Sequence, residues 1–195
     1  MGFCSTNAIE PLRSFHYPRV NEMPEDLVFL DDIVRMVNET HACIPARVLS
    51  NKTFTAPMAK NYLHAGITPA PIGRKYNRDH ICIILFAATI KLVYKASQIL
   101  AITETVFEGQ DPKVVNDEFA EILEARMKAV GANQGADAGE TKANLAEQSV
   151  RPSAANVSTA SSQASERTIL LELVASAFAS KMASLTLIDN QAKFE

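Results

Sequence analysis

Cysteines are few in this chain, and their spacing argues against the usual cysteine chemistry. Cys4, Cys43 and Cys82 are odd in number and share no CxxC spacing, so neither a disulfide framework nor a clustered zinc site is expected. His80 and Cys82 are two positions apart, and on a helix their side chains would point about 200° away from each other. We expect no metal and no cofactor, and a reducing cytoplasm as the location.

Long apolar runs and catalytic motifs are missing as well. The longest apolar run, residues 81–88, is far below the ~20 residues that span a bilayer, so no membrane association is expected. No nucleophile elbow, phosphate-binding glycine loop or pair of catalytic carboxylates occurs. The four histidines have no Ser, Cys or Asp at a telling separation. We therefore expect that the chain is not an enzyme.

Basic charge, by contrast, is concentrated in one part of the chain. Residues 41–95 contain eight Lys or Arg and one acid, Asp79, whereas residues 96–195 contain eight basic and fourteen acidic side chains. A local positive field favours polyanionic partners. The length of 195 residues, 47% of them apolar, suits one ordinary core with a small helical appendage.

A short polar helix is predicted over residues 56–65 within the basic part. Thr55 suits the N-cap position and Gly66 the left-handed position after the last turn. One face would carry Met58, Tyr62 and Ala65, and the other Lys60, Asn61 and His64. The second set consists of residue types that contact phosphates and base edges. A merely solvated polar face is the alternative.

A basic loop and an apolar helix follow. Pro69 and Pro71 stiffen the loop, Gly73 turns it, and Arg74 and Lys75 stand at its tip. Asn77 suits the cap of a helix from Arg78 to about Lys95 that is apolar on every face. This helix is predicted to be the centre of the core.

These residues also carry a family resemblance. The pattern Thr-x-x-Met-x-x-Asn-Tyr-x-x-x-Gly-Ile-x-x-x-Pro-x-x-x-Lys-Tyr-x-Arg-x-His, from Thr55 to His80, resembles the bacterial family described as domain of unknown function 1836. More distantly it resembles the winged helix of MerR-type regulators. The resemblance covers about residues 24–108. Pro57 departs from it, where a longer polar or basic side chain is expected.

The resemblance implies a mainly α fold, with a winged helix-turn-helix (MerR-like) core and additional C-terminal helices. It also implies a sequence-specific DNA-binding transcriptional regulator that binds double-stranded DNA as a homodimer, with an effector, protein or small molecule, left open. The expected DNA-binding residues are Thr55, Lys60, Asn61, His64, Arg74, Lys75, Tyr76 and Arg78. The alternative is a protein–protein adaptor on the same scaffold that uses its apolar and acidic C-terminal helices and does not bind DNA.

Five segments are expected along the chain. The first helix of the helix-turn-helix should begin after Pro24, with Glu25 and Asp26 in its first turn, and run to about Asn38. A further helix capped by Ser97 should end near Gly109. The segments are an irregular N-terminal arm (1–23), the winged helix-turn-helix domain (24–108), a helix on the core or at an interface (109–130), a flexible linker (131–165) and a C-terminal helix (166–195).

The C-terminal helix carries a candidate dimerisation stripe. The stripe is Leu171, Val174, Phe178, Leu185 and Ile188, and packing across a dimer and packing within the chain both explain it. In the dimer, the helix near residues 112–130 is the expected partner. Its acidic face, with Glu118, Glu121 and Glu124, is expected to be solvated.

Overall fold

The computed structural model describes Leu12 and residues 14–44, 53–132 and 159–191. Within these ranges the chain is helical, with one short 3-10 helix at Val20–Glu22 and six α-helices. The α-helices are α1 (Leu30–Thr40), α2 (Ala56–His64), α3 (Arg78–Ile90), α4 (Ala96–Phe107), α5 (Pro112–Ala132) and α6 (Thr159–Gln191). The predicted mainly α class is confirmed.

The core is built around α3. Every residue from His80 to Ile90 is buried, because α1, α4 and α5 all pack against this helix. The Phe86 ring lies edge-on to Phe107 and Phe119, with ring centroids 5.3 and 4.8 Å apart. A helix that is apolar on every face is stable only when neighbours surround it, and α3 has them.

Helix α6 packs along α5 of its own chain. Leu171, Val174 and Phe178 of the predicted stripe are fully buried there, whereas Ile188 is 60% exposed and Leu185 is half-buried. These three buried side chains have no surface left for a partner subunit. Leu171, Val174 and Phe178 therefore form an intramolecular core contact, and a dimer cannot use these three residues as predicted.

The segment at 14–23 is an irregular strap that belongs to the core. Pro18 prevents a long helix, and Phe15, Tyr17 and Met23 are nevertheless buried. The Phe15 ring lies 5.9 Å from Phe178, and the Tyr17 ring 5.3 Å from Phe119. The strap thus covers both C-terminal helices.

The first helix begins later than predicted. Val28 exchanges two backbone hydrogen bonds with Tyr76, of 3.0 and 2.9 Å, which holds the residues before α1 extended. The Asp32 carboxylate accepts from the Phe29 N–H at 3.2 Å and marks the actual helix start. Glu25 and Asp26 therefore lie outside the first turn, which contains Asp31 and Asp32 instead.

Two further local predictions need correction. Helix α4 starts two residues earlier than a Ser97 cap requires: Lys95 is its N-cap, and the Gln98 side chain accepts from the Lys95 N–H at 3.0 Å. Extended structure in the described residues is limited to two isolated antiparallel bridges, Val28 with Tyr76 and Ile72 with Lys75. Single bridges are shorter than the strands that define a wing, so this backbone does not show the winged-helix architecture.

The predicted linker falls largely outside the described residues, as do Arg47 and Lys52 of the connection before α2. Helix α5 extends through residue 132 and α6 already begins at Thr159. Within α6, the stretch Glu166–Ile188 is long and apolar enough to cross a membrane by length and composition alone, with 39% of the tested window buried inside the structure. This stretch was not expected from the sequence, because Glu172 and Lys181 interrupt its apolar residues.

Candidate nucleic-acid interface

Helix α2 is short and has a well-defined C-terminal end. The Gly66 N–H donates to the Leu63 carbonyl (3.1 Å) and the Ile67 N–H to the Tyr62 carbonyl (2.9 Å), which is the Schellman arrangement. Gly66 has φ +75°, a conformation that L side chains rarely adopt. Tyr62 and Ile67 are both buried. The turn therefore fixes the end of α2 to the core, as the sequence predicts.

The N-terminal end of α2 is only partly as predicted. Thr55 occupies the N-cap position with extended backbone, but its side chain makes no capping hydrogen bond. Pro57 lies at the second helical position, where no intrahelical N–H bond is lost. Thr55 is exposed, so its hydroxyl remains accessible to an external acceptor.

The two faces of α2 differ, but the buried face is only partly the predicted one: Tyr62 is buried, Met58 is half-buried and Ala65 is exposed. Ala59 and Tyr62 are buried, and the Tyr62 ring packs 5.9 Å from Phe54. Lys60, Asn61 and His64 are exposed. Among the described residues, none of these three side chains has an ion pair or a side-chain hydrogen bond. The exposed face thus presents a cation, an amide and an imidazole that the rest of the fold does not use.

The basic loop ends in a tight hairpin. Ile72 and Lys75 exchange backbone hydrogen bonds of 2.9 and 3.1 Å across a turn made by Gly73 and Arg74. Gly73 has φ +66°, which suits a two-residue hairpin turn. Arg74 is exposed and has no carboxylate partner in the described part of the chain. The Lys75 ammonium lies 5.2 Å from the centre of the Phe29 ring.

His80 anchors both sides of this hairpin. Its Nε2 donates to the Ala70 carbonyl at 3.0 Å, and its ring packs edge-on against Tyr76 with centroids 5.5 Å apart. Its Nδ1 lies 3.4 Å from the Asn77 backbone nitrogen and also contacts the Asn77 side-chain oxygen. His80 is therefore a structural residue, as expected, and it holds the hairpin in a defined position.

Two of the predicted DNA contacts are structural instead. Arg78 donates from Nε to the Pro24 carbonyl (3.1 Å) and from Nη2 to the Met23 carbonyl (2.9 Å). Tyr76 is 8% exposed and pairs with Val28. The Arg78 side chain and the Tyr76 backbone join the start of α3 to the segment before α1. We therefore remove Tyr76 and Arg78 from the candidate interface.

A row formed by Ile72, Lys75 and Phe29 lies across the hairpin and was not predicted from the sequence. Lys75 pairs with Ile72 on one side and contacts Phe29 on the other. Ile72 is 52% and Phe29 56% exposed. The sequence contains one signal that could have predicted this row. Asp31 and Asp32 suit the first turn of a helix, and a helix that begins with them leaves Phe29 outside it.

A cleft of about 480 Å³ adjoins the turn that ends α2. Ile67, Ile83 and Phe107 supply apolar walls, and the exposed side chains Glu104 and Glu108 stand at its edge. Neither carboxylate has an ion-pair partner among the described residues. The negative charge of Glu104 and Glu108 disfavours phosphates in this cleft.

The histidines and cysteines do not form a reactive site in the described part of the chain. No group of three or more His, Cys, Asp or Glu side chains there could hold a metal ion. Burial raises the pKa of the Cys82 thiol to about 12, and it also raises the pKa of Cys43. Both thiols therefore remain protonated near neutral pH, which makes them poor nucleophiles and poor metal ligands.

The comparison with known families agrees with the first resemblance. The model of the family described as domain of unknown function 1836 matches residues 18–122, which are 105 of the 195 residues. The match includes residues 18–23 of the strap, α1 to α4 and the first half of α5. No curated protein and no solved structure matches the chain significantly. The chain thus belongs to the family of domain of unknown function 1836.

Proposed function

We propose that this chain is a sequence-specific DNA-binding transcriptional regulator. In this proposal α1 and α2 form a helix-turn-helix, and the hairpin at 72–75 is a minimal wing of the MerR-like type. The observation that carries the proposal is the pair of neighbouring exposed elements, α2 and the hairpin, whose basic and amide side chains have no acidic partner in the described residues. Such surfaces attract the phosphates of nucleic acids.

The proposed division of roles follows the two elements. Lys60, Asn61 and His64 project from a helix, the element that fits the major groove and reads base edges. Arg74 and Lys75 project from a hairpin tip and would contact phosphates, which position the protein without reading sequence. The Thr55 hydroxyl would add a hydrogen bond to the DNA backbone next to the first turn of α2.

Selection of bound fragments from genomic DNA by the purified full-length chain tests the base-reading role. We expect one enriched sequence motif with the wild-type protein. Lys60→Ala combined with Asn61→Ala should reduce the preference for that motif over random DNA at least tenfold, because each good base contact contributes about 1–3 kcal/mol of discrimination.

The matched control is Lys128→Ala on α5, an exposed lysine outside the proposed surface. It should keep the wild-type preference. No enriched motif with the wild-type chain, or equal preference in the α2 variant and the control, would contradict the assignment of α2 to base reading.

One observation favours the adaptor alternative. Phe29 and Ile72 are large apolar side chains that stand exposed on either side of Lys75, and exposed apolar clusters mark protein contacts more often than nucleic-acid contacts. In an adaptor this row would bind an apolar groove, and binding would hardly respond to salt. DNA binding responds strongly to salt.

A further inference from the structure

Helix α6 has a second apolar face, opposite the one that packs on α5. Ile169, Leu173 and Ile188 are 55, 61 and 60% exposed on this face. At about 100° per residue, small side chains occupy four of the positions between them on the same side: Ser176, Ala177, Ser180 and Ser184. Leu170 and Leu187 lie at the edges of this face and are half-buried. The face is about 28 Å long, from the rise of 1.5 Å per residue.

Both charged side chains of this stretch contact other parts of the chain. Glu172 forms an ion pair with Arg126 of α5. The Lys181 ammonium donates to the Leu92 carbonyl at 2.5 Å. Residues 169–188 contain no other Asp, Glu, Lys or Arg. A surface helix normally carries charges on its solvent side, so this uncharged face is not that of an ordinary solvated helix.

The most C-terminal of the three serines on the face already has a hydrogen-bond partner. The Ser184 hydroxyl donates to the Ser180 carbonyl of the same helix at 2.9 Å. Covering Ser184 therefore leaves its donor bonded, and the cost of removing water from it is small. Burial of the outward face would therefore leave neither a charged group nor the Ser184 hydroxyl without a partner.

The face is complementary to itself in an antiparallel arrangement. A two-fold axis between residues 178 and 179 places Leu173 opposite Ser184 of a second copy, and Ile169 opposite Ile188. Ala177 then lies opposite Ser180, so that small side chains meet at the crossing point. A two-fold interface requires this kind of matching of one surface with itself, and small residues allow close approach of two helices.

We propose that the outward face of α6 binds a second copy of this chain in an antiparallel helix pair. The occupant is a second copy rather than a lipid bilayer because of the other side of the helix. A membrane span would have to pull Leu171, Val174 and Phe178 away from α5 and break the Arg126–Glu172 ion pair. Pairing of two copies keeps all of these contacts and does not depend on DNA binding.

Sedimentation equilibrium of the full-length chain tests this proposal. The wild-type protein should be a dimer. Leu173→Glu should raise the dimer dissociation constant at least about 100-fold, because both copies lose the leucine contact and bury a carboxylate. Adding Ser184→Lys to Leu173→Glu should restore the dimer, since the two substituted positions face each other across the antiparallel pair and only there.

Val114→Glu is the matched control, because Val114 is a 61% exposed aliphatic residue on α5 that belongs neither to the outward face of α6 nor to the row at the hairpin, and it should leave the association state unchanged. Circular dichroism and thermal unfolding of each variant establish that it is folded. A monomeric wild type, a dimeric Leu173→Glu variant, or failure of the Ser184→Lys rescue would overturn the proposal. So would binding of the wild-type chain to phosphatidylcholine vesicles that Leu173→Glu abolishes while the free protein stays monomeric.

Discussion

Charged side chains are used differently in the two halves of the molecule. On α5 and α6 they pair with each other: Glu118 lies 2.7 Å from Arg167, and Arg126 bonds to Glu172. On α2 and the hairpin, Lys60 and Arg74 have no carboxylate partner in the described part of the chain. Similar residue types therefore serve internal contacts in one half and remain available in the other.

This difference separates charges that contribute to the fold from charges that the described part of the fold leaves unpaired. Exposed ion pairs contribute roughly 0–1 kcal/mol each, but a partly buried carboxylate with several donors contributes more. A cluster of unpaired cations adds nothing to stability and creates a positive field. Substitutions on α5 and α6 should therefore change unfolding, and those on α2 and the hairpin should change binding.

A comparison of two histidines gives the largest expected effect. His41 is 6% exposed, its Nε2 lies 3.1 Å from the Thr89 hydroxyl, and burial lowers its pKa from 6.5 to about 4. As pH falls, the unfolded chain binds the proton first. The stabilisation is thus complete above pH 6.5, and about 3 kcal/mol is lost between pH 6.5 and 4.

Urea unfolding at a series of pH values measures this loss. His41→Gln should remove the corresponding part of the pH dependence. His64→Gln, on the exposed face of α2, is the matched control and should keep the wild-type profile. If the His41 variant lost stability between pH 6.5 and 4 as steeply as the wild type, the assignment of the effect to His41 would be wrong.

Two glutamates on α5 sharpen the comparison of paired and unpaired charges. Glu124 accepts from the Tyr17 N–H (2.9 Å) and from Arg19 (3.0 Å), with its side chain 14% exposed. Glu124→Ala should lower the free energy of unfolding by about 2 kcal/mol, because it leaves these donors of the strap without an acceptor. Glu121→Ala, exposed one turn earlier, should change it by less than about 0.5 kcal/mol.

Chemical denaturation of both variants at neutral pH checks this prediction. Equal effects of the two substitutions would show that the strap is not held by Glu124. The expectation that the acidic face of α5 is solvated would then stand for all three glutamates. In the structure only Glu121 of these three is a solvated glutamate without a basic partner, since Glu118 and Glu124 both bind basic side chains.

Local signals in the sequence predicted local structure well. Gly66 and Gly73 stand where the backbone has positive φ, and Asn77 caps α3 with its side chain. Each of these depends on residues within four positions of each other. The burial of α3 was also predictable, because an all-apolar helix has no solvent face to offer.

Contacts between distant residues were not predictable in the same way. Tyr76 and Arg78 were predicted to contact DNA from a wing. In the structure Arg78 donates to the Met23 carbonyl and Tyr76 pairs with Val28. The stripe on α6 correctly indicated a buried face, and its period carries no information on which chain covers it. Helix α1 starts later than predicted because the pairing of Val28 with Tyr76 outweighs the helix propensity of residues 25–29.

The salt dependence of DNA binding tests the central claim most directly. Fluorescence anisotropy with a random-sequence duplex should show that log K falls linearly with log salt concentration, by about 0.9 per phosphate contact. Arg74→Ala with Lys75→Ala should reduce this slope by about 2 and leave the free energy of unfolding unchanged. Lys128→Ala should keep the wild-type slope. An affinity that does not respond to salt, or equal slopes in the hairpin variant and the Lys128 control, would contradict the account.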